Sequence, residues 1–132
     1  LTVARPVLII GALLLAVTAR AQAVVDWSPA EPVNVVMVDD RFVPDRLTLK
    51  HGVPYQLHLE NHGNDLHEFT APEFFADAIV RDPSVLANGG TEVVVRPGWQ
   101  IVFYLMPVSA GTFRLYCADH DWDGMVGEIV VE

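Results

Sequence analysis

The stretch Thr112-Phe113-Arg114-Leu115-Tyr116-Cys117-Ala118-Asp119-His120-Asp121-Trp122-Asp123-Gly124-Met125 decides how this chain is read. Its first half alternates: Phe113, Leu115 and Cys117 share one face, and Thr112, Arg114 and Tyr116 take the other. That period of two marks a strand with one buried side, and it places the cysteine in an apolar, inward row. The second half is a polar turn, with His120 three residues after the cysteine and Met125 five after that. Val126 to Val131 then resumes as a strand. Met125 has the parity of Ile129 and Val131, while Glu128 and Glu132 oppose them. A thiol, an imidazole and a thioether are thereby gathered at one end of a strand pair.

Upstream, short strand-like runs repeat between turn residues. Asn34 to Val38, Arg46 to Lys50, Tyr55 to Glu60, Leu66 to Ala71, Glu92 to Arg96 and Gln100 to Leu105 are punctuated by His51-Gly52, the 61–65 loop, Pro97-Gly98 and Ala110-Gly111. About seven or eight short strands with frequent turns predict an all-β, antiparallel sandwich or barrel. The exception is Pro72 to Leu86, where Phe74, Phe75, Ala78 and Ile79 have helical spacing and Pro72 suits a first turn. One short helix is expected there, lying across a sheet edge or end.

The 132 residues suffice for one domain. Arg5, the apolar run Val7 to Val17 and the closing Ala21-Gln22-Ala23 read as a secretory signal, cleaved after Ala23. The run is shorter than the ~20 apolar residues of a spanning helix, so membrane attachment is expected only if the segment stays uncleaved. Residues 24–32, with Pro29 and Pro32, read as a flexible lead-in, and residues 33–132 as the folded domain. Arg5 and Arg20 leave with the signal, so 6 basic residues face 17 acidic ones, a net charge of −11. Binding phosphates needs positive charge, so a nucleic-acid partner is excluded and a basic protein partner is favoured.

A lone cysteine in an exported chain has no internal disulfide partner, and metal ligation would account for it. Soft sulfur and imidazole donors suit copper rather than calcium or magnesium. A trigonal site of two histidines and one cysteine with a weak axial methionine lacks one imidazole here. His67 shares a face with Phe69, opposite Glu68 and Thr70, and completes the set of His67, Cys117, His120 and Met125. His58 alternates with core leucines and faces solvent, His51 lies in a turn, and His62 lies in the loop before His67. Asp119-x-Asp121-x-Asp123-Gly124 matches the opening of an EF-hand, but Val130 stands where the twelfth-position glutamate belongs and the flanks are strands. The three aspartates read instead as an acidic rim around His120, with Trp122 exposed or covering the site. No arrangement of nucleophile, base and acid is evident, and no enzyme is expected.

At these residues the chain resembles the cupredoxins, and among them the plastocyanin and pseudoazurin type, which share the Cys-x2-His-x4-Met spacing. Leu66-His67-Glu68-Phe69 and Gly124-Met125-Val126-Gly127-Glu128-Ile129-Val130-Val131 are similar to bacterial cupredoxin-like copper-binding domains. The resemblance covers residues 33–132. It implies a Greek-key β-sandwich holding one type I-like copper at its end, with His67, Cys117 and His120 equatorial and Met125 axial. Glu68 departs from the pattern, since many electron-transfer members carry asparagine or a similar residue after the first histidine. The expected role is a periplasmic carrier of single electrons, steered to a basic redox partner by the acidic rim. The alternatives are a copper carrier or buffer that hands the metal to a copper-trafficking protein, and a metal-free sandwich used for binding.

Overall fold

The computed structural model describes residues 24–132; the segment read as a secretory signal lies outside them. Among the described residues, ten strands form two five-stranded sheets. The first sheet contains β1 (Glu31–Val38), β2 (Arg41–Val43), β4 (Tyr55–Asn61), β6 (Ile79–Val80) and β8 (Gln100–Met106), in the order β2-β1-β4-β8-β6. The second contains β3 (Arg46–Leu49), β5 (His67–Thr70), β7 (Glu92–Val95), β9 (Gly111–Tyr116) and β10 (Val126–Val131), in the order β3-β10-β9-β5-β7. The sandwich is as expected, but the count rises to ten because β2 and β6 are too short to leave a periodic signature. The pairing is also not wholly antiparallel: β1 runs parallel to β4, and β3 parallel to β10. The chain leaves the first sheet after Val43 and joins the second at Arg46. The first strand starts at Glu31, two residues inside the segment read as lead-in. Trp27 in that segment meets Tyr104 edge-on, ring centroids 6.3 Å apart.

Alternation explains which residues fill the space between the sheets. Along β4, Tyr55, Leu57, Leu59 and Asn61 are buried while Gln56, His58 and Glu60 are half-buried, so His58 takes the outer face as read. Val35, Met37, Leu57, Leu59, Phe69, Leu105, Leu115 and Ile129 are fully buried, and burial of such side chains contributes about 1.5–3 kcal/mol each.

The expected helix is cut short. α1 runs Pro72–Asp77, buries Phe74 and Phe75, and ends where Ala78 turns extended. Ile79 and Val80 then pair with Met106 and Leu105 instead of continuing it. The free edge of β8 takes up two β-branched residues, and tertiary pairing overrides helical spacing. Asp77 anchors the helix end by accepting from the backbone N–H groups of Val108 and Ser109, at 3.2 and 2.9 Å.

Gly127 shows how closely β3 and β10 approach. A Cβ there would overlap the carbonyl oxygen of Asp45, the same oxygen that accepts from the Glu128 amide at 2.8 Å. Backbone cannot retreat as a side chain can. Gly127→Ala is therefore expected to destabilise the fold by about 1–3 kcal/mol, read as a lower denaturation midpoint.

Candidate metal centre

His67 opens β5, Cys117 follows the last residue of β9, and Met125 precedes the first residue of β10. His120 lies on the turn between, at the start of a 3₁₀ turn spanning Asp121–Asp123. Strand parity thus delivers three of the four expected residues inward at one end of the sandwich: His67, Cys117 and Met125 are all fully buried. The turn is closed by backbone. The His120 amide donates to the Cys117 carbonyl at 3.1 Å, the Met125 amide to the His120 carbonyl at 3.1 Å, and the Cys117 amide to the Met125 carbonyl at 3.0 Å. Gly124 sits at φ 92°, a left-handed conformation that glycine adopts without a Cβ penalty.

One ligand atom each from His67, Cys117 and His120 lies within 4.8 Å of the others. The Cys117 sulfur is 3.8 Å from His67 Nδ1 and 3.4 Å from His120 Nδ1. Nitrogen and sulfur bound to one ion at bonds of about 2.0–2.3 Å would stand roughly 3.5 Å apart, so small adjustments suffice. Two imidazoles and a thiol that converge in this way are built as a type I copper site is built. His120 is the one donor of the three with an exposed edge, its side chain 17% accessible. Met125 is tied by its backbone to both Cys117 and His120.

The sulfur is not surrounded only by donors. The Glu68 amide points at it from 3.4 Å, and Glu68 Oε2 lies 2.9 Å away, where it accepts from the thiol. The same carboxylate oxygen also accepts from the Asp119 amide at 3.4 Å. Parity alone puts Glu68 and Thr70 on an outer face, and this is corrected: both are buried. β5 is an inner strand covered on both sides, and Thr70 finds Glu92 Oε2 at 3.1 Å. Burial first, and the Glu68 carboxyl beside it, push the Cys117 thiol up to about 12. The metal-free site therefore keeps its proton on sulfur at neutral pH, and a metal must displace it.

Behind His67, the ring's Nε2 meets Asp39 Oδ1 at 3.1 Å. Nothing in the sequence pointed to Asp39, which sits 28 residues upstream in the β1–β2 turn. The Asn64 amide first, and the His67 ring next, hold the Asp39 carboxyl below the usual carboxylate range. Asn61, a loop residue by its sequence, is the buried last residue of β4. Its Nδ2 donates to the carbonyls of Asp65 and Val95, both at 2.8 Å, and its Oδ1 accepts from Gly63. His62 turns away to Glu60 Oε2, 2.8 Å distant. His51 Nδ1 bonds to the Glu132 carbonyl at 2.6 Å. Trp122 is exposed at 78%, its Nε1 donating to the Asp119 carbonyl, so it does not seal the site. The Asp119–Asp123 aspartates form no cluster with the donors, and Asp121 faces Arg114 at 3.4 Å.

A family model described as a cupredoxin-like domain matches residues 7–131. The chain belongs to the cupredoxin-like family. Two auracyanin structures share this cupredoxin fold. One is the dithionite-reduced auracyanin of the photosynthetic bacterium Roseiflexus castenholzii, 14% identical, covering 78% of this chain and 98% of that one at a TM-score of 0.59. The other is auracyanin B, 17% identical, covering 83% and 94% at a TM-score of 0.61. A multicopper oxidase aligns at a TM-score of 0.58 and 17% identity, covering 76% of this chain but 41% of the oxidase. No curated protein sequence matches the chain. Within this cupredoxin the described residues contain no helix long and apolar enough to cross a membrane.

Proposed function

We propose that the protein binds one copper ion through His67, Cys117, His120 and Met125 and carries single electrons in the periplasm. The observation that carries this reading is the convergence of two Nδ1 atoms on one buried sulfur. Copper, when bound, supplies the one-electron couple. His67 and Cys117 keep water from the site by their complete burial. Strands hold them, so the donor positions change little between charge states. His120 offers the partly exposed edge toward a partner, with Asp65 Oδ2 3.8 Å from its Nε2. Asp65, Asp119 and Asp123 are exposed near it and would steer a basic redox protein. Donors buried this deeply favour electron transfer over rapid handover of the metal.

Copper(II) titration of the purified protein tests the reading. An intense visible band at one equivalent and a reversible one-electron wave are expected; copper uptake without either would overturn it. Met125→Leu should keep the band and raise the reduction potential, because a donor that favours the oxidised ion is lost. An unchanged potential would remove Met125 from the donor set.

A further inference from the structure

We infer that Asp39 is a positioning residue for His67: its carboxylate fixes the imidazole with Nδ1 toward Cys117 and biases the site toward the more highly charged state of its metal. This extends the copper reading above and rests on it for the second half only.

The contact is built rather than incidental. Asp39 follows β1 in the first sheet, whereas His67 opens β5 in the second, so the bond joins the two sheets at the site's end. The carboxylate is gripped from the other side by Asn64. The Asn64 amide lies 3.0 and 3.3 Å from its two oxygens, and Asn64 Nδ2 lies 3.1 Å from Oδ2. Gly63 leaves the space in which this happens. A Cβ there would overlap Asp39 Oδ1 and come within 2.8 Å of His67 Nε2. Asn61 in turn holds the Gly63 amide at 2.9 Å and pins the loop to Val95. Every residue from 61 to 64 except His62 therefore contributes to placing one carboxylate behind one ring.

The chemistry follows from what a carboxylate can do. Ionised, it only accepts, so the Nε2 facing it must carry the hydrogen. A neutral imidazole then has its lone pair on Nδ1, which is the atom 3.8 Å from the Cys117 sulfur. Asp39 thereby selects the tautomer that can donate to a metal and prevents the ring from flipping. A carboxylate partner also raises the basicity of a ligating histidine, and its charge favours a divalent over a monovalent ion. A backbone carbonyl would set the same tautomer without that bias. The reduction potential is consequently lower than the donors alone would give.

The test uses Asp39→Asn and Asp39→Ala in the whole protein. In the metal-free state, proton–nitrogen NMR of the wild type should show a protected His67 Nε2–H. Asparagine can still accept through its oxygen and should retain that resonance, whereas alanine should lose it. In the copper-loaded state both variants should show a raised potential, and D39A an affinity lowered by about 10- to 100-fold. Asp39→Asn also gives the result if Asp39→Ala fails to fold. A protected Nε2–H that survives in D39A, or a potential unmoved in both variants, overturns the inference. If wild-type protein takes no copper at all, the proposed function falls, while the metal-free NMR comparison still decides whether Asp39 sets the ring.

Discussion

Cys117→Ser is expected to abolish the visible band and weaken copper binding by well over the ~100-fold that loss of a supporting partner costs, while the protein stays folded. The two halves of that expectation have separate causes. Serine keeps the shape of cysteine closely, and its hydroxyl can donate to Glu68 Oε2, which already accepts from the thiol at 2.9 Å. The buried group is therefore satisfied and the fold has no new unpaired atom to carry. Metal binding has no such substitute. A hydroxyl in a site that pushes a thiol up to about 12 gives up its proton far less readily still. Sulfur is also the donor whose charge transfer to copper absorbs visible light. Wild-type loading should release a proton from Cys117, so its copper affinity should rise with pH through the neutral range, and the serine variant should lose that dependence. Calorimetry in buffers of different ionisation heat reads the proton directly. Copper uptake by the serine variant at wild-type strength would mean the ion sits elsewhere.

What the sequence made legible was whatever rests on local periodicity. Inward placement of Cys117 and Met125 came from alternation on β9 and β10, and His67 from its shared face with Phe69; burial agrees for each. Strand parity works when one face is wet, and it failed at Glu68 and Thr70 because β5 is covered on both sides. The partners that bury Glu68 and Thr70 are Cys117, Asp119 and Glu92, all distant in the chain, which no local window contains. The expected helix forms but stops at Asp77 for a related reason. Ile79 and Val80 answer to the open edge of β8, some 25 residues later in the chain, and not to the turn that precedes them. Asp39 and Asn61 could not be found at all. An aspartate in a β1–β2 turn and an asparagine ending β4 look like ordinary turn residues, and only their proximity to His67 and Val95 gives them work. The proposed ligands carried a motif; the residues that hold them in place did not.

Phe69→Ala is expected to cost about 3–5 kcal/mol of folding stability, the range for deleting a fully buried phenylalanine ring. Its ring touches both sheets and the helix. It meets Phe42 of β2 edge-on at 6.1 Å and Phe75 of α1 at 6.1 Å, and Phe75 in turn packs against Phe74 at 5.7 Å. Domains of this size have about 5–15 kcal/mol in total, so the loss is a large share and should appear as a sharply lower urea midpoint in the metal-free protein. Phe69 also lies two residues along the same face of β5 from His67. A metal that binds only the folded state adds stability by mass action, about 4 kcal/mol at a thousandfold excess over its dissociation constant. Copper should therefore raise the midpoint of Phe69→Ala far more than that of Cys117→Ser, because the first variant keeps every donor and the second does not. Equal midpoint shifts on adding copper to the two variants would show that stabilisation does not act through the sulfur, and a loss under about 1 kcal/mol in Phe69→Ala would show that the core closes over the ring's absence.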